Sequence, residues 1–435
     1  MSADTRPLTA PQYGMWAGQR MEPDSPAFWT AEAIELRGPL DVATLGHAVI
    51  DTLRRCDALH MRYRDDGDGV RQRLDPARAV AWPQHDFSGE ADPWRAAEAW
   101  MRADLDRPAR LGSGPLFATA LLRLGPQRHL WYLRAHHIAL DGFAYLLLIH
   151  RVAAVYSAAV DGREIPAARD FALAPVIDEA ESYRQSPQRA RDRDFWMARL
   201  QAAPTPVTLA PLQPPSDVAR SERHRLPLSQ YARWQAGARE CGVDWGAWLI
   251  AGIAAWMHRA SGATSICIGL LVMNRLGSRA LGVPCMGMNV VPLQLRIDPD
   301  AGFDTLARGA SAELARLRPH QRYNYEWMRE DMGLAGSHAQ LYGPVLNLMP
   351  FDRGFRFSGL EAKAHPVSVG SVEDMDITVS PLPDGLRVDI EANPAAYDAA
   401  TLGRHHRDLL ATLDAALDDP RAPLARLHAT VEAIA

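Results

Sequence analysis

Ile34, Glu35, Leu36 and Arg37 alternate between apolar and polar, the period of a half-buried strand. The period then lengthens. Leu45, Val49, Leu53 and Cys56 recur at helical spacing behind Asp41, a residue suited to capping a helix, so a strand followed by a helix is expected. Phe117–Leu124 and Leu130–His136 are two further strand-like runs, with Gly125-Pro126-Gln127-Arg128 as the hairpin turn between them. From Phe143 to Val160 the pattern is helical but apolar on most sides, which predicts a helix buried between layers, with Gly142 allowing close backbone approach at its start.

One charged helix is expected over about residues 176–200. After it, APTPVTLAPLQPPS (203–216) has no period and reads as a crossing segment. Beyond lie strand-like runs at 266–272, 289–297, 344–351, 377–381 and 386–391, and helical ones at 245–258, 303–317 and 400–417. The mixture is α/β, without the strict βαβ rhythm or the GxGxxG turn of a dinucleotide-binding sheet.

At 435 residues the chain is too long for one ordinary core, and two lobes are expected: 1–175, a connecting helix and Pro-rich crossing segment at 176–219, and 220–435. A net charge of -5 gives no reason to expect a nucleic-acid or anionic-membrane surface, and the Arg189–Arg193 run contains Asp192 and reads as solvated helix. The N-terminal residues contain no apolar secretion segment, and Cys56, Cys241, Cys267 and Cys285 form no CxxC pair, so a cytoplasmic setting is expected. The apolar run Trp245–Met257 is shorter than the roughly 20 residues a membrane-spanning helix needs.

Between the second strand of the hairpin and the apolar helix stands His136-His137-Ile138-Ala139-Leu140-Asp141-Gly142, the pattern HHxxxDG. Zinc would want further His, Cys or carboxylate ligands at matching spacing nearby, and none is present, so no metal is expected. On this segment alone two readings stand: satisfied structural histidines with Asp141 as a helix cap, or a reaction centre.

Other segments separate them. LTAPQYGMW (with Gln12 and Trp16), RRCDALHMRY (with Arg55 and Leu59), HHIALDG, RDFWMARL, GMNVVPLQLRI, HQRYNYEWMRED and YGPVLNLMPFD resemble, in order and interval, the core motifs of condensation domains from nonribosomal peptide synthetases. MNRLGSRALG, HQRYNYE and GPVLNLMPFD are similar to those of aryl-capped siderophore assembly, of the enterobactin and vibriobactin kind. Two departures occur in the second motif: His60 follows Leu59 where Arg is usual, with Arg62 two residues on, and Asp57 replaces the usual Glu. Heterocyclising relatives carry DxxxxD instead of HHxxxDG, so the intact histidines argue against cyclodehydration.

The resemblance implies an α/β fold of two chloramphenicol-acetyltransferase-like lobes in a V-shaped pseudo-dimer with a central tunnel. It implies amide-bond formation: an acyl group, aryl in the leading reading, passes from a carrier-protein pantetheine thioester to an amine. His137 is then the residue that meets the amine, and His136 supports the loop. Asp141 is a scaffold residue paired with Arg275 from the second lobe. Gly142 clears space beside the thioester, Asn347 donates to the developing oxyanion, and Ser371 is a candidate for lining the donor pocket. No cofactor is bound by the chain itself. Phosphopantetheine arms arrive on a donor carrier (an aryl carrier in the leading reading) and on an acceptor carrier, unless the acceptor is a free amine, and adjoining synthetase domains are further partners. The alternatives are an acyl-CoA-dependent acyltransferase, an epimerisation domain and an inactive recruitment domain.

Overall fold

The computed structural model describes residues 5–427 except 66, 68, 76, 217, 336, 338, 350–353 and 369–371. Two compact units divide the chain: Met1–Ser186 with Met273–Met288 and Arg353–Gly370, and Pro187–Val272 with Asn289–Asp352 and Ser371–Ala435. Two stretches from the C-terminal half, 273–288 and 354–368, thus pack with the N-terminal residues. Periodicity along the chain has no means of showing that exchange.

The first unit is built on a five-stranded sheet in the order Glu361–Ser368, Trp29–Arg37, Arg128–His136, Phe117–Gly125 and Gln84–Asp86. All neighbours are antiparallel except the last pair. The hairpin turn tightens to Pro126 and Gln127. Helix Val42–Arg54 begins as expected at Asp41, whose side chain accepts from the Thr44 amide at 2.9 Å, a cap worth about 0.5–2 kcal/mol. Helix Pro93–Leu105 lies on one face of the sheet, where Trp29, Ala31, Ala33, Met101, Leu122 and Tyr132 form an apolar cluster. Helix Gly142–Val160 is the one described helix long and apolar enough to cross a membrane, and more than half of that stretch (56%) is buried inside the protein.

The expected charged helix over 176–200 is two helices, Ala174–Arg184 and Pro187–Gln201. Pro187 has no N–H for a helical bond to residue 183 and fits the first position of a new helix instead. The first of these helices belongs to unit one and the second to unit two.

The second unit carries a six-stranded sheet in the order Asn289–Arg296, Ser265–Val272, Val345–Leu348, Met375–Leu382, Gly385–Ala392 and Arg220–Pro227. Val345–Leu348 runs parallel to both neighbours, and the other pairs are antiparallel. SICIGLLV over Ser265–Val272 is a nearly unbroken apolar run, as a strand buried on both faces demands. Its core includes Trp248, Trp256, Leu293, Phe303, Ile377, Val388 and Leu413. Helix Trp245–Ser261 approaches helix Ala399–Asp418 so closely that a Cβ on Gly252 would lie 2.2 Å from Leu413 Cδ2.

Candidate active site

Strand Arg128–His136 delivers His136 as its last residue, opposite Trp29 across the ladder. The chain then folds back: the amides of Ala139 and Leu140 donate to the His136 carbonyl at 2.8 and 3.3 Å. The His137 amide donates to the Phe28 carbonyl at 2.8 Å. Helix Gly142–Val160 starts at once, capped by Asp141 Oδ1, which accepts from the Ala144 amide at 2.9 Å. The histidines therefore have different fates. His136 is fully buried and His137 is partly exposed.

Both ring nitrogens of His136 are occupied: Nε2 is 2.9 Å from Gln19 Oε1, and Nδ1 accepts from the Ile138 amide at 3.1 Å. An imidazole that donates from one nitrogen and accepts at the other is neutral. Burial, and then the neighbouring His137, push its pKa down to about 3. The rings of Phe28 and Trp29 enclose it, with centroids at 5.9 and 5.5 Å.

His137 Nδ1 lies 2.8 Å from the Leu140 carbonyl oxygen. A carbonyl only accepts, so Nδ1 carries the proton and Nε2 of the neutral ring has a free lone pair. No described side chain hydrogen-bonds that nitrogen.

Asp141 and Arg275 are 2% and 0% exposed. Arg275 Nη2 lies 2.9 Å from Asp141 Oδ1 and 2.8 Å from Oδ2, and the amides of Gly287 and Met288 donate to Oδ2 at 2.9 and 3.1 Å. Arg275 Nη1 donates to the carbonyls of Ala280 and Val283 at 2.5 and 2.9 Å, and Nη2 also reaches the Cys285 carbonyl at 2.5 Å. Burial opposes the charge on Arg275, but Asp141 and then Cys285 hold its pKa above the ordinary arginine value. The guanidinium also lies over the Phe143 ring, 5.2 Å from its centroid. Gly287 passes so near that a Cβ there would meet Arg275 Cζ at 3.3 Å. Arg275 was expected from the second lobe. Its segment, Met273–Met288, belongs to the first unit, because these buried polar contacts tie it there.

Gly142 is the first residue of the capped helix and is exposed. Asn347 belongs to the other unit, on Val345–Leu348 opposite Thr378. Ser371 lies outside the described residues, as do Pro350, Phe351 and Asp352 of the YGPVLNLMPFD segment. The altered second motif is satisfied locally: Asp57 pairs with Arg78 at 2.6 Å, Arg62 with Asp75 at 2.8 Å, and buried His60 places Nε2 3.0 Å from the Leu53 carbonyl. Gln19, Phe28 and the Gly287 and Met288 amides were not singled out from sequence. The only signal available for the amides was their place at the start of GMNVVPLQLRI, and for Gln19 its place three residues after Trp16.

A family model described as a condensation domain matches residues 2–433. The isonitrile lipopeptide synthase of Streptomyces coeruleorubidus is 40% identical over 438 aligned positions, covering 99% of this chain and 30% of the relative. A dimodular nonribosomal peptide synthase of Bacillus subtilis is 37% identical over 412, covering 94% and 17%. Enterobactin synthase component F of Escherichia coli O157:H7 is 33% identical over 405, covering 92% and 31%. The chain spans less than a third of each of these relatives. Among solved structures, the starter condensation domain of rhizomide synthetase in complex with C8-CoA matches with a TM-score of 0.89 at 32% identity, covering 98% of this chain and 97% of that one. The first condensation domain of the calcium-dependent antibiotic synthetase, in complex with a substrate analogue, matches with a TM-score of 0.88 at 30% identity, covering 98% and 99%.

Proposed function

The chain belongs to the condensation-domain family of amide-forming acyltransferases, and on that premise we propose that it moves an acyl group from a carrier-bound pantetheine thioester to an amine, with His137 as the residue that meets the amine. The observation that carries this is the Nδ1 to Leu140 carbonyl contact of 2.8 Å, which leaves Nε2 of a partly exposed imidazole able to take a proton. The amine nitrogen attacks the thioester carbonyl, a C–N bond forms, the C–S bond breaks, and the nitrogen's proton passes by way of Nε2 to the departing thiolate. Such proton transfer is worth about 10² to 10⁴ in rate, while orienting two tethered reactants is worth about 7–11 kcal/mol of barrier, so holding the amine in place is the larger contribution.

Asp141 is not a second base in this reading. Its two oxygens already accept from Ala144, Arg275, Gly287 and Met288, so it holds the histidine loop. We assign His136 and Arg275 to the same support, Gly142 to clearance beside the thioester, and Asn347 to donation toward the developing oxyanion. Each unit, a sheet backed by helices, has the acetyltransferase-like organisation of the family. No cofactor of the chain's own enters the scheme, since the pantetheine arms come with the carriers. Four unpaired, buried thiols support a reducing, cytoplasmic setting.

We read the donor as aryl, supported by the similarity to enterobactin synthase component F. A fatty acyl donor is the second reading, favoured by the 40% identity to an isonitrile lipopeptide synthase and by the C8-CoA complex of the rhizomide relative. The acceptor is an aminoacyl carrier or a small amine. Mass spectrometry of products decides among these, with carriers loaded in turn with dihydroxybenzoyl, fatty acyl and aminoacyl groups and free acyl-CoA run in parallel. Amide from the aryl carrier is expected. Preference for another carrier-bound donor overturns the aryl assignment alone, and turnover only with free acyl-CoA overturns the carrier as well. Stereochemical inversion of the aminoacyl group without amide identifies an epimerase, and no change in any donor identifies a recruitment domain.

A further inference from the structure

Gln19 stands near the C-terminal end of helix Ala10–Met21 and is 3% exposed. Its amide nitrogen lies 2.8, 3.3 and 3.1 Å from the carbonyl oxygens of Glu22, Pro23 and Ser25. Three acceptors around one end of the side chain settle which end is the NH2, so the oxygen must face His136 Nε2 at 2.9 Å. An oxygen in that place requires His136 to carry its proton on Nε2, which leaves Nδ1 to accept from the Ile138 amide. The loop that Gln19 gathers ends at Phe28, whose carbonyl accepts the His137 amide at 2.8 Å and whose ring stacks on His136. One buried side chain thus sets the tautomer of the first histidine and anchors the loop that holds the backbone of the second.

We propose that Gln19 is a positioning residue for acyl transfer, acting through His136 and the Glu22–Phe28 loop to keep His137 Nε2 where the amine arrives. The inference rests on the assignment of His137 given above, and the test separates the two. Burial of the His136 ring agrees with it, since a neutral ring donates from one nitrogen only and its two partners place that proton on Nε2.

The experiment compares wild type, Gln19→Met, which keeps the length and removes both polar ends, and Gln19→Glu, which keeps an acceptor toward His136 but loses the donors to the three carbonyls. Steady-state kinetics with a loaded donor carrier are read beside ¹⁵N ring shifts of the histidines. In wild type, acyl transfer is expected together with His136 in the Nε2–H form. Gln19→Met is expected to lower kcat at least tenfold per folded molecule with little change in KM and to displace His136 from that tautomer. Gln19→Glu is expected to retain the Nε2 proton yet lose kcat through the released loop. Unchanged kcat in folded Gln19→Met overturns the proposal, as does a loss that follows only the fraction of folded protein. If Gln19→Met does not fold, the wild-type spectrum still decides: a His136 ring protonated on Nδ1 overturns it. Transfer that survives in His137→Ala overturns the His137 assignment instead.

Discussion

Arg275 meets Asp141 through a single nitrogen, Nη2, placed 2.9 and 2.8 Å from the two carboxylate oxygens, and neither side chain reaches solvent. The residues are 134 positions apart, and between them they carry the cap of helix Gly142–Val160 and the folded-back segment Met273–Met288. With both charges desolvated, the pair is stable only as a pair. Removing one partner leaves a buried charge, at a cost of about 3–5 kcal/mol.

Asp141→Asn and Arg275→Met are each expected to destabilise the protein by that order, and the double variant by clearly less than the sum of the two. Urea unfolding of the four proteins gives the coupling energy directly. Strict additivity would show that the two side chains act independently.

His137→Ala is expected to reduce single-turnover product formation at least tenfold while leaving the thermal midpoint near that of wild type, because the imidazole is partly exposed and makes one backbone hydrogen bond. His136→Ala is expected to do the reverse in emphasis. It vacates a fully buried, doubly hydrogen-bonded site, so a lower midpoint is expected in calorimetry. Equal midpoints for His136→Ala and wild type would remove its scaffold role.

Acid is expected to weaken the fold through the same ring. Burial holds the folded pKa of His136 at about 3, against 6.5 for an unperturbed imidazole. Between those values the unfolded chain binds a proton that the folded chain does not, so stability rises with pH through this window and is lost as pH falls from about 6.5 toward 3. Burial also lowers His60, His129, His365, His405 and His406, which adds to the same trend. Thermal midpoints measured from pH 7 to pH 4.5 should fall, and His136→Gln should flatten the slope. A slope unchanged by that substitution would assign the acid sensitivity to the other histidines.

Asp376 is expected to act with the opposite sign. The residue as a whole is half-buried, but desolvation of its carboxyl first, and then Glu391, Glu373 and Asp374, raise its pKa from 3.8 to about 8. The folded chain then holds a proton that the unfolded chain has released, so this residue's effect on stability worsens as pH rises from about 4 to about 8. Asp376→Asn removes the titration and is expected to raise the thermal midpoint by a few degrees at pH 8 and by less at pH 5. An equal gain at both pH values would show that Asp376 is ionised throughout.

Elements with a clean period were legible along the chain. Strand Trp29–Arg37, the 117–136 hairpin and helices Val42–Arg54, Gly142–Val160 and Phe303–Leu317 all follow from the pattern of apolar positions, because each must bury one face or, for Gly142–Val160 and Arg128–His136, most of its surface. Strands Arg220–Pro227 and Glu361–Ser368 did not show themselves. RSERHRLP and EAKAHPVS each form the outermost strand of a sheet, where half or more of the residues stay polar and Pro366 is tolerated.

The site divides along the same line. HHxxxDG, its place at a strand end and the cap formed by Asp141 are local, and the sequence by itself determined them, since each depends on neighbours within a few residues. Arg275 became a candidate only through likeness to a family, because nothing between positions 141 and 275 records their approach. Only the tertiary structure decided that His136 is sealed while His137 is partly open, that the free nitrogen of His137 is Nε2, and that Gln19 sets the neighbouring ring. Adjacent residues at a strand end point to opposite faces, and which face is buried depends on what packs there. Which nitrogen of an imidazole carries the proton depends on whichever carbonyl or amide the folded chain brings within 3 Å.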